Sequence, residues 1–373
     1  AGFTSTEEQA VSDVYDLVTA SGINLSVSAG NSYSSSYNSN YGNYALATNP
    51  DNGIVGSPST YPGSLSVASI ENTHLANCAY FLGGKDDVTV EGFYNDNGPD
   101  DKKLSTLTGT YEFVDCGTGS EEEIAAVDVS GKVALIKRGS IAFSDKVANA
   151  AKAGAVAVII YNNTSGTLNM SVENYYVPAV SVTQATGEAL LALTDKVVTF
   201  GSELVKDAPN GQAYQMSDFS SLGVTPDLKL KPEVTAPGGN IYSATIGGGY
   251  VNMSGTSMAA PHVSGAMAIV KGYVNEKYPE LSKVEKENLI NSLLMSTATP
   301  VVDSNGQYYT PRKTGSGLIN TEKAITTKAY LSVDNNDRPK AELGYNTDGA
   351  YEFSFNVNNL SSEELTYKID TTV

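Results

Sequence analysis

The sequence is poor in several residue types on which common kinds of site depend. Its 373 residues include no tryptophan, two histidines and two cysteines, and 23 lysines and arginines stand against 41 acidic residues. The formal net charge of −18 argues against nucleic acid as a partner, because binding to phosphates depends on cationic side chains. No apolar run approaches the roughly 18 residues that a membrane-spanning helix needs, so no membrane span is predicted in this chain.

Two further absences bear on metals and disulfides. No Asp-x-Asp-x-Asp-Gly loop with a downstream glutamate is present, so no metal site is predicted, although the acidic composition is compatible with calcium. No motif requires a cofactor. Cys78 and Cys116 allow either one disulfide or two unpaired, partly buried thiols, and their separation in sequence does not decide between these.

The N-terminal residues do not have the pattern of a signal peptide. They lack a positively charged segment followed by an apolar one, and the first residue is not methionine. We therefore expect a mature product or an excised part of a longer protein. The abundance of glycine, serine, asparagine and tyrosine is common in extracellular proteins.

The order of helical and strand patterns predicts an α/β fold with an insert. A capping box at residues 5–8 precedes an amphipathic helix, and short strand patterns follow at 23–31 and 64–70, which predicts a parallel sheet. From about residue 75 to the polar boundary at 206–211 the pattern is β-rich with one or two helices, one of them at 143–153.

Beyond this block, a capping box at 282–285 precedes another apolar helical face, and strand-like alternation begins near residue 330. That last pattern is typical of the first strands of a β-sandwich. No internal repeats are present.

Ser257 is the candidate nucleophile. It lies in "SGTSMAAPHVSG" (254–265), where small residues precede a run with helical apolar spacing and Pro261 is predicted to fall in the first helical turn. Unpaired N–H groups at a helix N-terminus favour negative charge, and the oxyanion formed when a serine attacks a carbonyl is such a charge. From spacing alone, the alternative is a serine N-cap on a buried helix of small residues.

That stretch closely resembles the nucleophile signature of the subtilisin-like serine proteases, the subtilases. Further segments resemble the family in the same order: "SVSAGN" (26–31), "GSPSTYPGSLSVASI" (56–70), "FSSLG" (219–223), "LKPEVTAPG" (230–238) and "TGSGLINTEKAI" (314–325). The second of these segments resembles the strand whose start lies near the specificity pocket in the family. The third and fourth together resemble the strand pair before the nucleophile.

The resemblance implies a serine endopeptidase that acts through an acyl-enzyme on Ser257. It also implies that the Asn31 amide and the Ser257 N–H form the oxyanion hole. Gly30, Thr256 and the pair Tyr61 and Pro62 are then the predicted substrate-binding residues.

The inserted block resembles a second family. "VDCGTG" (114–119) and the run from 128 to 163 are similar to a protease-associated (PA) domain. Subtilase halves around a PA insert, followed by a β-sandwich, resemble the cell-envelope proteinases of Gram-positive bacteria of the C5a peptidase and lactocepin type. The expected fold is α/β: a partial subtilisin-like parallel-sheet domain, an inserted β-rich PA domain and the start of a fibronectin-III-like β-sandwich. The expected domains are 1–74, 75–207, 208–328 and 329–373, in a secreted or wall-anchored protein.

The family's catalytic triad is incomplete in this sequence. Subtilases carry it in the order Asp, His, Ser, so both missing members are expected before Asn31. The 30 preceding residues contain no histidine and neither of the D-(T/S)-G and H-G-T-H motifs. His262 follows Ser257 by five residues on the same predicted helix, more than one turn away, and His74 lies at the start of the insert. We predict structural roles for both histidines.

Two hypotheses follow. In the first, the chain is part of a larger protease, inactive alone, whose partner is a protein or peptide substrate. In the second, it is a degenerate subtilase that serves as a surface binding module. We favour the first, because a non-catalytic protein has no need of Ser257 and Asn31 in their motifs. Because a sheet without its central strands exposes an edge, we also expect that this edge can pair with a second copy.

Overall fold

The computed structural model shows a mixed α/β protein. It describes residues 5–32, 55–85, 90–94, 99–164, 168, 170, 172–201, 205–225, 227–246, 248, 250–333 and 338–369. Within these residues the helices are α1 Ser5–Ala20, α2 Glu121–Ala125, α3 Phe143–Lys152, α4 Gln184–Ala192, α5 Thr256–Lys277, α6 Lys283–Ser296, α7 Pro311–Thr314 and α8 Thr321–Thr326.

The strands are spread over the whole chain. They are β1 Ser26–Ser28, β2 Leu65–Glu71, β3 His74–Gly83, β4 Val90–Tyr94, β5 Gly109–Asp115, β6 Val133–Lys137, β7 Ala157–Tyr161, β8 Ala179–Val182, β9 Val197–Phe200, β10 Val205–Pro209, β11 Val234–Gly239, β12 Ile241–Ala244, β13 Tyr250–Met253, β14 Ala329–Val333 and β15 Phe355–Asn359. No helix in the described ranges is long and apolar enough to span a bilayer.

The chain divides into two compact units. The first contains residues 1–71, 214–239 and 255–373, and the second contains residues 72–213 and 240–254. The chain thus enters the second unit at Asn72 and leaves it after Ala213. The sequence predicts these two domain boundaries at 75 and 207. The return of residues 240–254 to the second unit was not predicted.

The first unit is built on a parallel sheet with the order β1-β2-β11. Beyond β11, Thr235 donates its N–H to the Gly317 carbonyl and accepts from the Ile319 N–H, so the predicted "TGSGLIN" segment lies along that strand. All seven residues of β2 are buried, which is expected for a central strand of a parallel sheet covered by helices.

Helices α5 and α6 supply the apolar core of this unit. Val263, Val270 and Ile290 pack with Leu65 and Val234 of the sheet, and each is fully buried. The predicted capping box of α6 is present, because the Ser282 hydroxyl accepts from the Glu285 N–H and the Glu285 carboxylate accepts from the Ser282 N–H.

Two local predictions in this unit are wrong. Helix α5 begins at Thr256, so Pro261 is its sixth residue rather than a residue of its first turn, and Pro261 has no N–H to donate to the Ser257 carbonyl. The segment "FSSLG" (219–223) is not a strand. Its serines instead use their side chains to bond neighbouring backbone, as when Ser220 Oγ accepts from the Ser69 N–H.

The C-terminal part of the first unit forms a two-stranded antiparallel sheet of β14 and β15. No strand follows β15 within the described residues, which end at 369. Several apolar side chains of this region are exposed, including Phe355 and Val357.

The second unit contains an eight-stranded mixed sheet. Its order is β10-β3-β9-β5-β6-β7-β8, with β4 paired to β3, and the run from β5 to β8 is parallel. Adjacent residues of the central strands belong to different apolar clusters: Leu135 and Ile159 lie in one, and Ile136 and Ile160 in the other. Both faces are therefore buried, which explains the continuous apolar runs of β6 and β7.

This unit holds more helix than the sequence predicts, since α2, α3 and α4 all belong to it. Helix α3 agrees with the prediction for 143–153. Its Lys146 is fully buried and donates to the carbonyls of Thr118 and Lys137. Cys116 is a buried free thiol, as in the unpaired alternative, and the side chain of Cys78 lies outside the described part of the structure.

Candidate active site

The candidate nucleophile lies where the chain re-enters the first unit. The Gly255 N–H donates to the Gly238 carbonyl at 2.8 Å, which ties the residue before α5 to the end of β11. Ser257 is the second residue of α5, and its side chain is exposed. Its N–H belongs to the first helical turn, where no preceding carbonyl of the helix can accept it.

Asn31 is held against this helix start by its side-chain oxygen. Asn31 Oδ1 accepts the Thr256 N–H at 2.9 Å and the Thr256 hydroxyl at 2.9 Å. The Gly30 N–H donates in turn to Thr256 Oγ1 at 3.0 Å. These two bonds fix the orientation of the Asn31 amide. The Thr256 N–H can only donate, so the amide atom facing it is the oxygen. The exposed Asn31 amide therefore keeps its Nδ2 protons as donors for another group.

A close approach explains the glycine before the helix. A Cβ on Gly255 would lie 3.1 Å from Asn31 Nδ2 and 3.6 Å from the Ser257 nitrogen. The Asn31 amide and the Ser257 N–H therefore both border the space over Gly255. Two N–H donors at one small gap can stabilise an oxyanion that develops on a bound carbonyl.

Ser221 is a supporting residue that sequence reasoning missed. Its N–H donates to the Gly30 carbonyl at 2.9 Å, and its Oγ accepts from the Ser32 N–H at 3.1 Å. Gly30 has φ +108°, and a Cβ there would lie 2.8 Å from Ser221 Oγ. The turn that carries Asn31 is thus bonded on both sides. The signal was present in the quoted "FSSLG", but nothing in the sequence linked that segment to Asn31.

Tyr61 and Pro62, the two residues predicted near the specificity pocket, differ in burial. Tyr61 is 7% exposed, and its ring stacks on Tyr15 of α1 with centroids 4.9 Å apart. Its hydroxyl is buried and finds no hydrogen-bond partner among the described residues. Pro62 is exposed. The substrate-binding roles of Tyr61, Pro62, Gly30 and Thr256 stay predictions.

The backbone at Gly56 is linked more directly to the Asn31 turn than Tyr61 is. The Gly56 N–H donates to the Ala29 carbonyl at 2.8 Å, two residues before Asn31. The family resemblance predicts the pocket wall at Tyr61 and Pro62. A backbone contact made by a glycine leaves no comparable signal.

In the described residues, each histidine is hydrogen-bonded to a neighbour along its own chain segment and not to Ser257. His262 Nδ1 lies 2.9 Å from the Met258 carbonyl, one turn back along α5, and a carbonyl can only accept, so Nδ1 donates. His74 belongs to β3 of the second unit, where its Nδ1 lies 3.1 Å from the Thr73 hydroxyl. Within the described residues, the Asn31 amide and the Ser257 N–H both lie over Gly255, and no imidazole is hydrogen-bonded to Ser257.

Comparison with known proteins gives a consistent family. A model described as "Subtilase family" matches residues 2–334. The chain is 32% identical over 368 residues to a C5a peptidase of Streptococcus pyogenes, covering 95% of this chain and 30% of that protein. It is 32% identical over 381 residues to a PII-type proteinase of Lacticaseibacillus paracasei, covering 94% of this chain and 20% of that protein.

The chain thus spans about a third or less of the length of these curated relatives. Among solved structures, it is similar to the psychrophilic subtilisin-like protease Apa1 of Pseudoalteromonas sp. AS-11. The identity is 20%, the match covers 87% of this chain and 67% of that one, and the TM-score is 0.35.

Proposed function

The chain belongs to the subtilase family, and on that premise we propose that it is the nucleophile-bearing part of a serine endopeptidase of the cell-envelope type. The observation that carries the proposal is the pair of hydrogen bonds that Asn31 Oδ1 accepts from the N–H and the hydroxyl of Thr256. It presents an amide donor beside Ser257, an arrangement that a helix cap alone does not require.

The reaction is peptide-bond hydrolysis in two steps. Ser257 Oγ attacks the substrate carbonyl, its proton passes to a histidine, and the Asn31 amide and Ser257 N–H stabilise the oxyanion. The histidine returns the proton to the leaving amine, and water then hydrolyses the acyl-enzyme. The histidine and its aspartate belong to a part of the protein outside these 373 residues, and the chain alone is inactive because a serine hydroxyl without a base is a poor nucleophile.

The relatives and the composition support a proposal for the substrate and the location of the protein. The substrate is a protein or peptide, and the protein is secreted or attached to the cell wall. Residues 75–207 form a PA domain that limits access to the cleft and favours larger substrates. Deleting 76–206 from the complete enzyme should change protein cleavage more than cleavage of small peptides, and equal effects on both would contradict this role.

Association with a second copy is part of the proposal. Strand β1 lies at one end of the β1-β2-β11 order, and Ile269 on α5 is 57% exposed. An open sheet edge favours pairing with another chain, and Ile269 adds an exposed apolar side chain. Light scattering at two protein concentrations tests this, and a monomer at both would contradict it.

Labelling by a fluorophosphonate tests the catalytic proposal. The complete protein should be labelled at Ser257 and the isolated chain should not, because only the former has the histidine. Ser257→Ala in the complete protein is the control that assigns the label. A chain labelled at the rate of the complete protein would show that the base lies within these residues, and an unlabelled complete protein would rule out the protease.

The second candidate function is a surface binding module. What favours it is that, among the described residues, no imidazole is hydrogen-bonded to Ser257, His262 Nδ1 being bonded to the Met258 carbonyl instead. The coding sequence before Ala1 distinguishes the two. D-(T/S)-G and H-G-T-H motifs there support the protease, and their absence supports the binding module.

A further inference from the structure

A cluster of buried charges lies behind the turn segment 56–64 of the first unit. Glu233, directly before β11, is fully buried, and its Oε1 accepts from three cations. Lys231 Nζ lies 2.8 Å away, Lys340 Nζ 2.9 Å and Arg338 Nη1 3.2 Å. Arg338 and Lys340 come from the segment that follows β14, far along the chain from the other two. The cluster therefore joins the segment after β14 to the β1-β2-β11 sheet.

Two of these cations also hold the turn segment itself. Lys231 Nζ donates to the Ser64 carbonyl at 2.7 Å and to the Tyr61 carbonyl at 3.2 Å. Arg338 Nη1 donates to the Ser64 carbonyl at 2.7 Å, and its Nη2 donates to the Gly63 carbonyl at 3.1 Å. The planar guanidinium thus binds two successive carbonyls at once, which an ammonium group cannot do with the same geometry.

The acidic member of the cluster binds the same stretch of backbone. Glu233 Oε2 accepts the Ser66 N–H at 2.7 Å, at the start of β2. Carbonyls on the turn segment and an N–H just beyond it are therefore all bonded to one group of charges. That arrangement leaves the segment little freedom to shift as long as the charges stay in place.

The other end of the segment reaches the candidate active site. Internal bonds run from the Ser64 N–H to the Tyr61 carbonyl, from the Tyr61 N–H to the Pro58 carbonyl and from the Ser59 N–H to the Gly56 carbonyl. The Gly56 N–H then donates to Ala29, which precedes the Gly30–Asn31 turn. Hydrogen bonds thus connect the charge cluster to the backbone beside the oxyanion donor.

We propose that Arg338 is a positioning residue for substrate binding: through the carbonyls of Gly63 and Ser64 it holds the turn segment 56–64, whose Gly56 N–H is bonded to Ala29 next to the Gly30–Asn31 turn. Lys340 supports it by sharing the Glu233 carboxylate. This inference rests on the proposed peptidase function. Arg338 lies beyond the predicted catalytic halves, so a residue outside the sheet domain sets how firmly that domain binds peptide.

A purely structural role would have different consequences from a positioning role. If Arg338 only stabilises the fold, its loss lowers the amount of folded protein, and each surviving molecule binds substrate normally. If it positions the segment, folded molecules bind peptide more weakly while the chemistry at Ser257 proceeds as before. The split between KM and kcat, counted per titrated active site, separates the two roles.

The experiment uses the complete protein with Arg338→Ala, Arg338→Lys and the control Lys328→Ala, whose side chain makes an exposed ion pair with Glu363 in the same region. Substrate is a chromogenic peptide, and active sites are titrated with a fluorophosphonate. Both Arg338 variants should raise KM about tenfold, the size of losing a hydrogen bond from a charged group, and leave kcat unchanged. Lys328→Ala should leave both constants unchanged. Wild-type KM in the Arg338 variants, or a loss confined to kcat, overturns the inference.

Hydrogen–deuterium exchange gives a readout that does not depend on activity. Peptides covering 56–66 should exchange faster in both Arg338 variants than in wild type and Lys328→Ala, whereas peptides of α6 should not change. Unchanged exchange at 56–66 in an active protein overturns this inference alone. A wild-type complete protein that cleaves no peptide overturns the proposed function, and the exchange result then still decides whether Arg338 holds the segment.

Discussion

Replacing Glu233 by glutamine removes the one negative charge that three buried cations share. The glutamine keeps the size of the side chain and an oxygen for the Ser66 N–H, so packing changes little. What changes is that Lys231, Arg338 and Lys340, with side-chain exposures of 0%, 6% and 9%, are left without the carboxylate to which each is bonded. Removing one partner from a buried group of charges is destabilising, although Lys340 keeps an ion pair with Glu342 at 2.7 Å.

The size of the effect follows from the pKa of the carboxyl group. Burial alone would raise the pKa of Glu233, but the attraction of Lys231, Arg338 and Lys340 outweighs it and lowers the pKa from 4.5 to about 2. At 1.36 kcal/mol for each pKa unit, this corresponds to about 3 kcal/mol of stability. Because the folded pKa is the lower one, this stability is complete above pH 4.5 and is lost as the pH falls toward about 2.

Urea unfolding of the chain, followed by far-UV circular dichroism between pH 7 and pH 2, measures the effect. Glu233→Gln should be about 3 kcal/mol less stable than wild type at pH 7, and the difference should shrink as the pH falls below 4.5. Glu363→Gln is the matched control, since it breaks an exposed pair worth about 0–1 kcal/mol. Equal losses in the two variants, or a Glu233→Gln deficit that does not change with pH, would refute the reasoning.

Three other expectations test separate parts of the structure. Thr256→Val, which removes the hydroxyl that bonds Asn31, should slow fluorophosphonate labelling of the complete protein about tenfold, whereas Thr256→Ser should label normally. Burial and two neighbouring carboxylates raise the pKa of Cys116 to about 11, so mass spectrometry should find slow alkylation at pH 8 until urea unfolds the chain. Gly187→Ala would place a Cβ 2.2 Å from the β7 tyrosine ring and should cost about 1–3 kcal/mol in thermal unfolding. Gly265→Ala, with open surroundings inside α5, should stabilise the chain by up to about 1 kcal/mol.

Several elements could be predicted from local patterns because their causes are local. The capping box at Ser282 and Glu285 is formed by residues three apart, and α6 begins there. The continuous apolar runs of β6 and β7 predict strands buried on two faces, and both faces are covered by apolar clusters. The family could be predicted as well, since its motif around Ser257 is contiguous.

Other features could not be predicted because they join residues far apart in sequence. Pro261 is a local exception: the sequence predicts it in the first helical turn, but α5 begins at Thr256 and Pro261 is its sixth residue. The hairpin of β12 and β13 joins the second unit through tertiary contacts that no short window contains. The resemblance predicts a strand at "FSSLG". The hydroxyls of Ser220 and Ser221 instead accept from the backbone N–H groups of Ser69 and Ser32.

The sequence by itself determined the chemistry that is available: a serine at a helix start, an asparagine after a strand, and a family that uses both. Only the tertiary structure decided which atoms meet. It placed Asn31 Oδ1 on Thr256, Gly56 beside Ala29 and Arg338 on the carbonyl of Ser64, 274 residues away. The physical reason is that such contacts depend on how the parallel strands and α5 pack together. The spacing of residues along the chain does not determine which of them come close in space.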